Sequence, residues 1–227
     1  MKTGPDSVFY FIISNLAIAF CFVPILLVFL RRINQDKAYL SIGVYWMANG
    51  LINVPIWLGL GDNKILQNQI TLLYNLLDGP LVLLIFYFSS AGKRKRAVMY
   101  ALLGLIALDL VLLGWKGHNF TSSTVIIGAG TLLALIFSTE GIAQYFRKME
   151  HTHFENAMGF VYAALVFDYG IFIIIYIFSY VNKVKGAESD ANFFIYYLSL
   201  LLSVMLTSFG LLLHARPSSL SPSYNRN

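Results

Sequence analysis

Residues Val8 to Leu30 read VFYFIISNLAIAFCFVPILLVFL, 23 residues without one charge. A helix rises 1.5 Å per residue and the hydrocarbon core of a bilayer is about 30 Å thick, so roughly 20 such residues cross it. A secretory leader has a shorter apolar run, about 7–15 residues, behind a basic stretch. Here only Lys2 and Asp6 precede the run, and no small-residue cleavage site follows it. The stretch therefore reads as a first transmembrane helix.

Working outward, the same pattern recurs at 38–60, 70–90, 97–115, 122–145, 157–181 and 191–214. With 8–30 that makes seven segments. The connections between them are too short to hold a folded soluble domain. The chain of 227 residues is 58% hydrophobic and 12% charged. A soluble domain carries about 25% charged residues. The expected fold is all-α: a polytopic membrane protein, one seven-transmembrane-helix bundle over 1–215. The Pro/Ser-rich residues 216–227 form a tail expected to be disordered. The single cysteine, Cys21, excludes an intramolecular disulfide.

The net charge of +5 is a matter of position. Arg31, Arg32, Lys37, Lys93, Arg94, Lys95, Arg96, Arg147, Lys148, Arg216 and Arg226 fall in alternate connections and the tail. Lys2, Lys64, Lys116, Lys183 and Lys185 fall on the other side. Short loops rich in Lys and Arg stay cytoplasmic, which places the amino terminus outside and the carboxy terminus inside, in a plasma or inner membrane. The run Lys93 to Arg96 is read as a topology anchor that also attracts anionic lipid headgroups. It is not read as a nucleic-acid surface.

Four acidic residues, Asp78, Asp109, Glu140 and Asp168, lie inside the hydrophobic segments with no Lys or Arg beside them. A carboxylate at mid-bilayer costs about 2.5–3.5 kcal/mol on insertion scales. Protonation, hydrogen bonding or a wet cavity can each accommodate it. In the second segment Tyr45, Asn49 and Asn53 recur every four residues and share a helix face, with Pro55 just beyond. In the third, Asn75 and Asp78 share a face beside Gly79 and Pro80, and Pro80 frees the carbonyl of Leu76. On the deduced topology Asn53 and Asp78 lie at one depth in the outer half, on helices joined by a short loop. Asp168 sits mid-segment next to a stripe of Tyr162, Tyr169 and Tyr176. The last segment has a small and polar face, Ser199, Ser203, Thr207 and Gly210, with Tyr196 or Tyr197 towards its outer part. The candidate ligand- or ion-binding set is thus Asp78, Asn75, Asn53, Asn49, Asp168, Tyr169 and Tyr197. Asp109 and Glu140 are expected to be structural. Asp109 is alone on its helix, and Glu140 is placed to snorkel or to pair with loop arginines.

No cofactor or metal site is expected. The four histidines are scattered, and HExxH, GxSxG and Walker patterns are missing. A retinal protein needs a lysine in the last helix, and 191–214 has none. The leading function is transport or sensing of a small molecule, a cation or protons, because no membrane-embedded cation is present to hold an anion. The alternatives are an intramembrane enzyme acting on a lipid or isoprenoid by carboxylate acid/base catalysis, and a structural or partner-binding subunit.

Overall fold

A computed structural model describes residues 8–57, 64–117, 119–178 and 187–213. The tail 216–227 and the connection around 182–186 lie outside the described residues. The described chain is helical throughout: α1 (Val8–Phe20), α2 (Val23–Leu30), α3 (Lys37–Leu51), α4 (Val54–Trp57), α5 (Lys64–Ser89), α6 (Gly92–Lys116), α7 (Phe120–Phe146), α8 (His153–Tyr176) and α9 (Ala187–Leu213). Six stretches are long and apolar enough to cross a membrane: Val8–Leu30, Gln69–Ser89, Gly92–Trp115, Thr121–Phe146, His153–Tyr176 and Phe194–Leu213. They are compatible with an integral membrane protein.

Two segments expected as single helices are divided, both at a proline. Pro24 has no N–H to donate, so α1 ends at Phe20 and α2 restarts with Pro24 in its first turn. The stretch expected at 38–60 divides at Ile52–Asn53 ahead of Pro55, leaving α3 with 15 residues and α4 with four; residues 58–60 lie outside the described residues. Asn53 repairs part of the second break, since its side-chain amide donates to the Asn49 carbonyl at 3.2 Å. By contrast, α5 runs on through Pro80.

Side-chain caps start three of the helices. Asp36 accepts from the Ala38 N–H at 2.8 Å, and Asn119 from the Ser122 N–H at 2.8 Å. Thr152 and Glu155 form a reciprocal capping box at the start of α8.

Helices α1, α9, α8, α7, α5, α3 and α2 pack in sequence around the bundle, and α6 lies outside against α5 and α7. Cross-helix contacts define the two ends. At one, Arg94 donates to Gln144 Oε1 at 3.0 Å and to the Phe137 carbonyl at 3.1 Å. There too Tyr145 donates to Asn156 Oδ1 at 3.0 Å, and Lys37 lies over the Phe88 ring. This end also carries Lys93, Lys95 and Arg96, and is called the basic end below. At the opposite end Tyr176 donates to the Thr124 carbonyl at 2.9 Å, and Tyr10 packs on Tyr197. Glu140 pairs with Arg94, its Oε2 standing 3.6 Å from Nε.

Large apolar side chains fill the bundle at mid-height. Trp46, Leu83, Ile85, Phe86 and Leu165 are fully buried, and Phe86 stacks on Tyr162. Leu103, Leu110 and Val111 of α6 point outward. Lipid is as apolar as such side chains, so close packing and polar contacts hold helices together in a membrane. Small residues permit that packing here. A Cβ on Gly210 of α9 would stand 2.8 Å from the Ala157 carbonyl oxygen of α8.

Candidate functional site

Between this apolar layer and the end opposite the basic one, polar side chains of α3, α5 and α8 join in one chain of hydrogen bonds. It begins with local geometry on α3. The Asn49 amide donates to the Tyr45 carbonyl one turn back at 3.1 Å, which fixes the amide orientation and turns Oδ1 away from its own backbone. That Oδ1 accepts from the Tyr74 hydroxyl of α5. Tyr74 lies one turn before Asp78, and its hydroxyl is also 3.0 Å from Asp78 Oδ1. Asp78 Oδ2 accepts from Tyr169 of α8 at 2.9 Å, and the Tyr169 oxygen accepts from Tyr45 at 3.1 Å.

A tyrosine hydroxyl has one proton, and an amide oxygen only accepts. Tyr74 cannot donate to Asn49 and to Asp78 together. Both contacts are satisfied when Tyr74 donates to Asn49 and a protonated Asp78 donates from Oδ1 to the Tyr74 oxygen. Every hydroxyl in the chain then has one acceptor.

Beside the network is a cavity of about 30 Å³. A water needs at least about 10–15 Å³ of such space, so the cavity has room for a water or two. Asp78, Asp109 and Asp168 all line it, with Asn75, Tyr45, Tyr74, Tyr169 and Tyr196, and among the described residues no Lys, Arg or His does. Asp109 and Asp168 are 5% and 7% exposed, and Oδ1 of each is buried with no hydrogen-bond partner among the described residues. Each therefore offers an acceptor, or once protonated a donor, at the cavity. Among the described residues no three His, Cys, Asp or Glu side chains converge to hold one metal ion.

The backbones of α5 and α7 touch at this point. A Cβ on Gly130 would stand 3.4 Å from the Gly79 Cα, and both glycines line the cavity. Their missing side chains leave the space that the carboxyl groups face.

Of the residues singled out by sequence, Asp78, Asn75, Asp168 and Tyr169 line the cavity, and Asn49 reaches it through Tyr74. Asn53 and Tyr197 are brought to each other instead, at 3.3 Å, away from the cavity wall; Tyr196 takes the wall position. The tyrosine stripe of α8 is more than packing. Tyr162 donates to Ser89 at 2.8 Å, Tyr169 to Asp78 and Tyr176 to Thr124, each across to another helix. Two residues of the wall were not in the candidate set: Tyr74 was not singled out, and Asp109 was expected to be structural. Tyr74 was legible, four residues before Asp78 on the same face. Asp109 was not, because its cavity neighbours come from other helices.

No protein-family model, curated protein or solved structure matches this chain.

Proposed function

We propose that the chain is a seven-span membrane protein that binds protons at Asp78, Asp109 and Asp168 and uses them in transport or sensing. In this reading α3 with α4 is the second span, the basic end is cytoplasmic, and the site lies in the outer half. The observation that carries it is the set of three carboxyl groups on one water-sized cavity with no Lys, Arg or His beside them among the described residues. Charged carboxylates so placed repel one another and lack solvation; protons supply the missing charge and the missing donors. The proton count at Tyr74 supports the same reading.

The test is infrared difference spectroscopy of the purified protein in lipid nanodiscs, stepping from acid to neutral pH. A carboxylic C=O band lost on the step, and missing in Asp78→Asn, is the expected result. Spectra that are identical in wild type and Asp78→Asn would overturn the proposal, as would a response to sodium at constant pH with none to protons. Proteoliposomes loaded with a pH-sensitive dye then separate transport, which moves the internal pH, from sensing, which does not.

A further inference from the structure

The basic end holds a second cavity, of about 150 Å³, between the ends of α5 and α7 and the starts of α6 and α8. That is about ten times the space that admits one water. Its wall includes Arg94, Gln144, Lys148, His151 and Glu155.

The cavity has donors to spare and few acceptors. Arg94 has five N–H groups. One goes to Gln144 and one to the Phe137 carbonyl, while Nε is buried without a bonded partner, 3.6 Å from Glu140. Lys148 gives two of its three N–H groups to Glu155 at 2.6 and 2.8 Å. Gln144 gives one of its two to Glu140 at 2.8 Å. The ring of His151 stacks on Tyr145 with centroids 3.9 Å apart, and its Nδ1 is buried and unpartnered. The one carboxylate on the wall is already engaged, since Glu155 also accepts from the Thr152 N–H and hydroxyl. Arg94 and Lys148 each face a carboxylate, Glu140 and Glu155, so the unfilled N–H groups, more than net charge, select a ligand with several acceptor oxygens, and a phosphate group is the common one.

An apolar groove of about 210 Å³ adjoins it, formed by Ile142, Phe146, Gly159, Phe160 and Ala163 of α7 and α8 and sharing Tyr145 with the cavity. Phe146 is 78% exposed, so the groove opens outward. Gly159 makes room for the shared ring, as a Cβ there would stand 2.9 Å from Tyr145 Cε2. A charged, donor-rich cavity next to an apolar groove fits one molecule with a phosphate at one end and a hydrocarbon chain at the other.

We propose that the basic end binds an anionic phospholipid, its phosphate held by Arg94, Lys148 and His151 and one acyl chain lying in the groove between α7 and α8. The site is separate from the carboxyl cavity and does not depend on the function proposed for it. Basic pockets between membrane helices on the cytoplasmic side are suited to such headgroups.

The full chain in detergent is titrated with short-chain phosphatidylglycerol, phosphatidylcholine of the same chain length, and glycerol phosphate, reading the melting temperature. Phosphatidylglycerol raises it saturably, and the other two fall well short at equal concentration. Lys148→Gln raises the half-saturating concentration about tenfold, as expected for losing one charged contact. Ala163→Phe, which fills the groove, does the same without touching the phosphate cavity. Arg94→Gln adds to this if it folds; Lys148 is half-exposed and Ala163 lies in the groove, so their variants decide the matter if it does not. Glycerol phosphate equal to the lipid would make the ligand a soluble phosphate and overturn the lipid assignment. Phosphatidylcholine equal to phosphatidylglycerol would overturn the requirement for an anion. No saturable shift, or unchanged half-saturation in both variants, would overturn the site.

Discussion

Gly79 and Gly130 hold α5 and α7 in backbone contact directly beside Asp78: a Cβ on Gly79 would stand 3.3 Å from the Gly130 Cα and 2.6 Å from Leu105 Cδ2. Leu105 Cδ2 is the far end of a flexible side chain and can give way, whereas the facing backbone cannot. A Cβ alone on Gly130 would sit at ordinary contact, 3.4 Å from the Gly79 Cα, but the two further methyls of Gly130→Val would meet that backbone, so this variant should push the helices apart and cost about 1–3 kcal/mol, the usual range for overpacking. Gly79→Ala should cost less. Melting temperatures in detergent rank the two. Since the carboxyl cavity lies at this contact, Gly130→Val should also broaden the pH-dependent infrared signal; an unchanged melting temperature would mean that the contact does not position the site.

Tyr169 and Tyr74 hold the two oxygens of Asp78 unequally. Tyr169→Phe removes the donor to Asp78 Oδ2 and also the acceptor of Tyr45, two cross-helix bonds. Tyr74→Phe removes one cross-helix bond, to Asn49, and one contact within α5. Cross-helix hydrogen bonds in membranes are worth about 0.6–1.7 kcal/mol each. Tyr169→Phe should lower thermal stability more than Tyr74→Phe, and the reverse order would refute the network as drawn.

What the sequence revealed and what it concealed have physical causes. The apolar runs were legible because the bilayer imposes length and composition on every span. The faces shared by Asn49 with Asn53 and by Asn75 with Asp78 were legible because spacings of four and three fix a helix face. The break after Phe20 was missed although Pro24 marks it, since the hydropathy of the run continues unchanged across the turn. Asp109 looked isolated because an apolar helix has no periodic polar partner to advertise the face that meets α5 and α7. Likewise Asn53 stood at the right depth, but its carbonyl oxygen meets Tyr197 and does not face the cavity.

The proposed topology puts the basic end in the cytoplasm. Lys93 and Thr121 are exposed near opposite ends of the bundle, and Cys21 is buried. In a Cys21→Ala background, Thr121→Cys should react with an impermeant maleimide on intact cells, and Lys93→Cys only after permeabilisation. Labelling of Lys93→Cys on intact cells would reverse the assignment of the basic end to the cytoplasm.

The three carboxyl groups should separate under substitution by asparagine. An amide at position 78 can accept from Tyr169 through its oxygen and donate to the Tyr74 oxygen through its nitrogen. That is the pattern of the protonated acid, so Asp78→Asn should fold, keep its melting temperature and behave as permanently protonated. Its pH-dependent band should vanish. Asp109 and Asp168 each have a buried oxygen with no partner among the described residues. Asp109→Asn and Asp168→Asn should each delete one carboxyl contribution while the Asp78 band persists. From its own helix alone Asp109 would be silent; its place on the cavity wall makes it a third contributor. Infrared difference spectra and melting curves of the three single variants decide this. A large loss of stability in Asp78→Asn would show that an ionised carboxylate is what the tyrosines hold, and a spectrum unaltered in Asp109→Asn would remove that residue from the site.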